Sequence, residues 1–288
     1  MDDGFKTSLA DCRVGIIGLG LIGGSIALAL RGQCLSISGH DIDPDTIERV
    51  LDRGVIDSPI DLSGSTLAID LMILATPVGS ILDWIARLSI RNDSFHLIDL
   101  GSAKSRVVAA MQQLPDRISP IGGHPMCGKE TAGSDAADAG LYRDCTFVLT
   151  PLDRTLPTTL SIAHELIEAI GAHVLILDPD RHDRIAAAIS HVPYLASIAL
   201  IDAARQMNDN AAWTMAASGF RDSTRLAASN VTMMLDVLTS NRTAVLESLS
   251  RVITSLQSLS TLIEQRSDSE LRERLEMARM RRAILFKQ

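Results

Sequence analysis

Three observations predict an α/β protein with a Rossmann-like, doubly wound, mostly parallel sheet at the N-terminus and an all-α domain at the C-terminus. Short β-type apolar runs alternate with helical-period segments in the first half of the chain. A glycine-rich turn directly follows the first of those runs, and beyond Asp178-Pro179 the strand signal gives way to Ala, Leu, Met, Ser and Arg at helical spacing. The expected domains are therefore 1–178 and 179–288.

The predicted strands lie near 14–17, 35–40, 70–75, 95–99, 118–122, 146–150 and 173–177. Between the second and third, Asp43-Pro44-Asp45 reads as an N-cap with proline in the first helical turn, and Gly54 as the stop. In the second half, 181–206 reads as helix interrupted at His191-Val192-Pro193-Tyr194, where proline must kink it. Val245, Leu249, Val252, Leu256, Leu259 and Ile263 recur at steps of four and three, a seam that fits either the domain's own core or a second copy of the chain.

With 288 residues, 46% hydrophobic and 22% charged, the chain can bury a large core. Its formal net charge of -8 excludes the electrostatic footprint of a nucleic-acid or anionic-membrane binder, and 3% aromatic residues leave no stacking platform. The longest uncharged run, 14–30, is the only candidate membrane span from sequence, and its glycines read instead as a tight turn. Met1-Asp2-Asp3-Gly4 is acidic where a signal peptide is basic, so a cytoplasmic protein is expected. The four cysteines show no metal spacing and are expected to be reduced; no metal site is expected.

The turn Gly18-Leu19-Gly20-Leu21-Ile22-Gly23 follows a strand and opens an apolar helix, the context in which G-x-G-x-x-G holds a dinucleotide pyrophosphate. Gly18 permits the turn, Gly20 the approach of phosphate, and Gly23 close packing of helix on sheet, with Leu21 and Ile22 at the helix mouth. Asp41, 18 residues after Gly23, ends the second strand and can accept from an adenosine ribose while repelling a 2′-phosphate, so NAD is expected over NADP. Thr76-Pro77, Gly101-Ser102-Ala103-Lys104 and Gly123-His124-Pro125-Met126 follow the next three strands, whose ends converge on the same crevice. There Thr76 borders the cofactor, and His124 beside a nicotinamide suits removal of a hydroxyl proton. In the helical part, Gly219-Phe220-Arg221-Asp222-Ser223-Thr224-Arg225 reads as a polar interhelical loop, with Arg225 able to clamp a carboxylate bidentately and Asp222 beside it. A turn-capping histidine and solvated surface charges are the plainer alternatives for these two segments.

Taken together, 18–25, 99–104, 123–128, 190–193 and 219–225 resemble the prephenate and arogenate dehydrogenase family, the NAD(P)-dependent enzymes of tyrosine biosynthesis, over nearly the whole chain. The resemblance implies His124 as catalytic base, Ser102 hydrogen-bonding both that histidine and the substrate hydroxyl, Arg225 on the ring carboxylate, and His191 at the side-chain end of the substrate. It also implies a helical domain that forms a homodimer, prephenate or arogenate as substrate, and oxidative decarboxylation as the reaction. Gly123 stands where many members carry Thr or Ser, and Met234 where some carry Trp. The regulatory ACT domain of some relatives is not expected after Gln288, and any tyrosine inhibition is expected to act through the active site or the dimer. Three other readings remain: a β-hydroxyacid or imine-type dehydrogenase of similar architecture, a thiol-dependent acylating dehydrogenase using Cys127, and a non-catalytic NAD-binding protein.

Overall fold

The structure, a computed structural model, describes residues 5–127 and 133–286; Met1-Asp2-Asp3-Gly4 and Gly128 of the histidine motif lie outside the described residues. Its sheet is built from β1 (Arg13–Ile17), β2 (Ser36–His40), β3 (Ser58–Pro59), β4 (Leu71–Leu74), β5 (Phe95–Asp99), β6 (Ile118–Pro125), β7 (Thr146–Pro151) and β8 (His173–Ile176). The spatial order is β3-β2-β1-β4-β5-β6-β7-β8, and every neighbouring pair is parallel except β6 and β7. The sequence reading missed β3, whose two residues end in proline and carry no periodicity. It also ended the 118–122 strand too early: His124 and Pro125 pair antiparallel with Val148 and Phe147, so His124 lies inside β6 and not beyond it.

Helices cover both faces because alternate strand residues are apolar on both sides. Val14, Ile16, Leu71 and Ile73 meet Ile26 of α1 (Leu21–Ala29), Val50 of α2 (Pro44–Asp52) and, across β6 and β7, Ile162 and Leu166 of a further helix, Pro157–Ala169. Ile17, Met72, Leu74 and Leu97 meet Ile81 and Ile85 of α3 (Val78–Ser89) and Val107 and Met111 of α4 (Ser105–Met111). Pro157–Ala169 is α5. Asp43 caps α2 by accepting from Asp45 N at 3.2 Å, and Gly54 stops it at φ 63°. The run 14–30, read above as a conceivable span, is thus β1 and α1.

From Pro179 the described chain is helical: α6 (Pro179–Ala186), a π turn (Ala187–His191), α7 (Val192–Gln206), α8 (Ala211–Met215), α9 (Ser218–Thr224), a 3-10 turn (Arg225–Ala228), α10 (Val231–Ser240), α11 (Arg242–Glu264) and α12 (Asp268–Leu285). The expected kink at Pro193 is absorbed by the π turn, which widens the helix just before a residue that cannot donate to it. Residues 179–206 therefore form one helix, long and apolar enough to cross a membrane by length and composition, a span the sequence reading had not marked. Its buried His182, Asp183 and His191 face polar partners in this protein. The segment around Asp222, read as a loop, is α9 and the turn after it. Along the α11 seam Val245 is buried, whereas Leu256 and Ile263 are 61% and 62% exposed in the single chain.

Gly123 sits where β6 is pressed hardest: a Cβ built on it lies 2.7 Å from the backbone oxygen of Asp99 and 3.0 Å from the Phe147 ring. Backbone in a central parallel pair cannot yield, so Gly123→Ala is expected to destabilise the protein by about 1–3 kcal/mol in denaturant unfolding. An unchanged midpoint would show that β6 has slack.

Candidate active site

The strand order reverses direction across β1 and β4, which places the glycine turn at the switch point of the sheet. Gly18 has φ 94°, and a Cβ on Gly23 would stand 1.9 Å from the Gly18 oxygen, so both positions exclude a side chain. Nothing lies within 4 Å of a Cβ built on Gly20, which leaves its backbone face open. Helix α1 starts at Leu21 with no side-chain cap, so the N–H groups of Leu21 and Ile22 offer the unfilled positive end of the helix. Asp41 stands beside the turn, one oxygen accepting from Leu19 N at 2.8 Å. The Thr76 hydroxyl, just past β4, is buried without a hydrogen-bond partner among the described residues. An open backbone cradle, an uncapped helix start, a carboxylate at the end of β2 and an orphaned hydroxyl fit a nicotinamide dinucleotide.

Past β5 the chain folds over a buried ion pair. Lys104 and Asp99 are both fully buried and joined directly, and Lys104 Nζ also donates to the Gly123 oxygen at 2.6 Å. Burial pulls the Lys104 ammonium down and the Asp99 carboxyl up, and each charge offsets the other's loss of water. This clamp fixes the backbone immediately before His124. Ser102 lies on the same loop, partly exposed. The resemblance implies a Ser102–His124 hydrogen bond; the bond present at His124 joins its Nδ1 and His182 Nε2, 2.8 Å apart.

His124 remains partly exposed at the crevice. Burial drives its imidazole well below the ordinary range, helped by His182, Lys104 and His191 and opposed by Asp183. His191, at the end of the π turn, is buried with Nδ1 3.3 Å from Asn241 Nδ2, and burial pulls it down to about 4. Arg225 and Asp222 lie on the exposed side of the helical part, Asp222 3.4 Å from Arg221 Nε. Met234, where some family members carry Trp, is buried in α10. Burial pushes the Cys127 thiol up to about 12, which leaves it without the thiolate an acylating mechanism needs.

Four residues escaped the sequence reading. His182 and Asp183 follow Asp178-Pro179, whose helix-start signature makes them look like a solvated first turn, yet both are buried. Asp183 accepts from Lys104 N at 2.7 Å, Ser105 N at 2.9 Å and His182 Nδ1 at 2.8 Å, and these bonds, working against burial, bring its carboxyl down to about 2. Asn241 donates to the Asp183 backbone oxygen at 2.8 Å. Asp236 of α10 accepts from Val78 N at 2.6 Å and Gly79 N at 3.1 Å, at the start of α3. Among the described residues no cluster of side chains is arranged to hold a metal ion.

Family models for the prephenate dehydrogenase nucleotide-binding domain and dimerization domain match residues 26–176 and 178–277. A Bacillus subtilis prephenate dehydrogenase is 34% identical over 265 residues, 89% of this chain and 71% of the relative. The chain belongs to the prephenate dehydrogenase family. An A. aeolicus prephenate dehydrogenase, solved with hydroxyphenyl propionate and NAD+, superposes with TM-score 0.89 at 30% identity, covering 97% of this chain and 100% of that one. A Synechocystis arogenate dehydrogenase superposes with TM-score 0.82 at 31% identity, covering 95% and 100%.

In this prephenate dehydrogenase family member, His124 and His191 stay neutral where the unfolded chain's histidines charge. Below about pH 6.5 the unfolded chain binds protons that the folded one does not, so stability is full above that pH and falls as pH drops, by up to about 1.4 kcal/mol per pH unit for each histidine. Unfolding midpoints measured from about pH 7 down to about pH 5 check this, and a flat profile over that range would contradict it.

Proposed function

We propose that the protein is an NAD-dependent prephenate dehydrogenase, converting prephenate to 4-hydroxyphenylpyruvate and carbon dioxide in tyrosine biosynthesis. The observation that carries the proposal is His124: a neutral, inward-held imidazole at the crevice that also receives the glycine turn, Asp41 and Thr76. The Gly20 backbone and the Leu21 and Ile22 amides would hold the cofactor's pyrophosphate at the turn that Gly18 and Gly23 shape, and Asp41 its ribose. NAD, when bound, supplies the hydride acceptor. His124 takes the hydroxyl proton, Ser102 orients that hydroxyl, Arg225 grips the ring carboxylate before it departs, and His191 and Asp222 border the remainder of the substrate. Aromatisation of the ring drives the reaction, so orientation and one well-placed base are what the protein must provide. The similarity to an arogenate dehydrogenase favours a second reading, in which arogenate replaces prephenate; turnover of each substrate with each cofactor separates the two.

We place the working unit in the cytoplasm as a homodimer, with 1–178 binding the dinucleotide and 179–288 completing the substrate site and pairing the subunits. The exposed Leu256, Ile263, Leu275, Ile284 and Phe286 support pairing through α11 and α12, and the four free cysteines suit a reducing compartment. Sedimentation at micromolar concentration is expected to give a dimer; a stable monomer would return the seam to a surface role.

His124→Asn is expected to cut kcat on the order of 10²-fold or more with little change in KM, and Arg225→Ala to raise the prephenate KM by a factor of about ten or more. If His124→Asn keeps near-normal turnover, the base lies elsewhere. NAD is expected to be preferred over NADP, and Asp41→Asn to erode the preference; equal use of both cofactors by the wild type would remove Asp41 from the ribose.

A further inference from the structure

A continuous chain of hydrogen bonds runs from a carboxylate to the proposed base. His182 Nδ1 is 2.8 Å from Asp183 Oδ1, and His182 Nε2 is 2.8 Å from His124 Nδ1. Asp183 is 5% exposed and ionised, with Lys104 N–H and Ser105 N–H already donating to it, so it can only accept. The proton between Asp183 and His182 therefore sits on His182 Nδ1. A neutral His182 then has a bare Nε2, which accepts, and His124 must donate from Nδ1. The remaining nitrogen of His124, Nε2, is left with its lone pair and has no protein partner among the described residues.

We infer that His182 and Asp183 are positioning residues that lock His124 in the Nδ1–H tautomer, so that its Nε2 is the acceptor for the substrate proton. The inference rests on the reading of His124 as the base. In the reaction one proton passes from the substrate hydroxyl to His124 Nε2, and the resulting imidazolium keeps donating from Nδ1 to His182, whose own N–H stays on Asp183. The groups that face His124 are His182 and Asp183 from α6, His191 from the π turn and Lys104 from the loop after β5, and among them Asp183 alone favours the imidazolium.

His182→Phe keeps the ring volume and removes both nitrogens. In the full-length protein with NAD and prephenate it is expected to lower kcat at least tenfold while KM stays within about twofold, and to cause no further loss in a His124→Asn background. Asp183→Asn keeps an oxygen for Lys104 N–H and His182 Nδ1–H, which share Oδ1, but removes the negative charge that favours the imidazolium, so it is expected to lower kcat with KM nearly unchanged. Nitrogen NMR of protein labelled with ¹⁵N-histidine reads the same point without turnover: wild-type His124 is expected to show a protonated Nδ1 and a bare Nε2 at neutral pH. Wild-type turnover in His182→Phe, a full additional loss in the His124→Asn background, or a protonated Nε2 in the wild-type spectrum would each overturn the inference. Failure of the wild type to oxidise prephenate would instead sink the functional reading, and the spectrum would still decide the tautomer.

Discussion

Two helices that start at the carboxyl ends of central strands have no cap of their own, and the helical domain supplies both. Helix α4 follows Lys104 and α3 follows Pro77, neither of which offers a capping oxygen, so the first amides of each would face the crevice unpaired. Asp183 closes the first and Asp236 the second. Such a cap is worth about 0.5–2 kcal/mol, and an anion at a helix N-terminus gains from the helix dipole as well. These bonds do more than join domains. Through Asp183 they put His182 against His124.

Charge placement around His124, the proposed base, follows the same pattern. Lys104 and Asp99 are buried together beneath the strand end, and removing one partner of such a pair typically costs about 3–5 kcal/mol, because it leaves the other charge uncompensated. A side chain at 123 would meet the Asp99 backbone oxygen and the Phe147 ring, which accounts for the glycine there. The result is a rigid platform from which a neutral imidazole faces the site. A base held below its usual range stays deprotonated at physiological pH, at some expense in basicity that a low-energy aromatising reaction tolerates.

Much of this architecture is legible in the residues because it depends on local chemistry. Gly18, Gly20 and Gly23 follow an apolar strand, Asp43-Pro44 begins a helix and Gly54 ends it, and each signal acts within a few residues. The resemblance of the His124 and Arg225 segments adds the family. What stayed hidden depends on distant partners. Ser58–Pro59 is a strand only because β2 lies beside it, and β6 reaches His124 only because β7 pairs there. The π turn before Pro193 has no periodicity of its own. His182 and Asp183 look like an ordinary polar first turn until α6 is laid against α4, and Asp236 looks like a surface acid until α10 meets α3.

Catalysis in the proposed mechanism turns on where His124 points its Nε2. A crystal structure of the protein with NAD and 4-hydroxyphenylpyruvate tests that directly. The product hydroxyl is expected within hydrogen-bond reach of His124 Nε2, about 2.6–3.2 Å, with Nδ1 still on His182. A product hydroxyl held by another side chain, or a His124 ring turned so that Nδ1 faces the product, would contradict it.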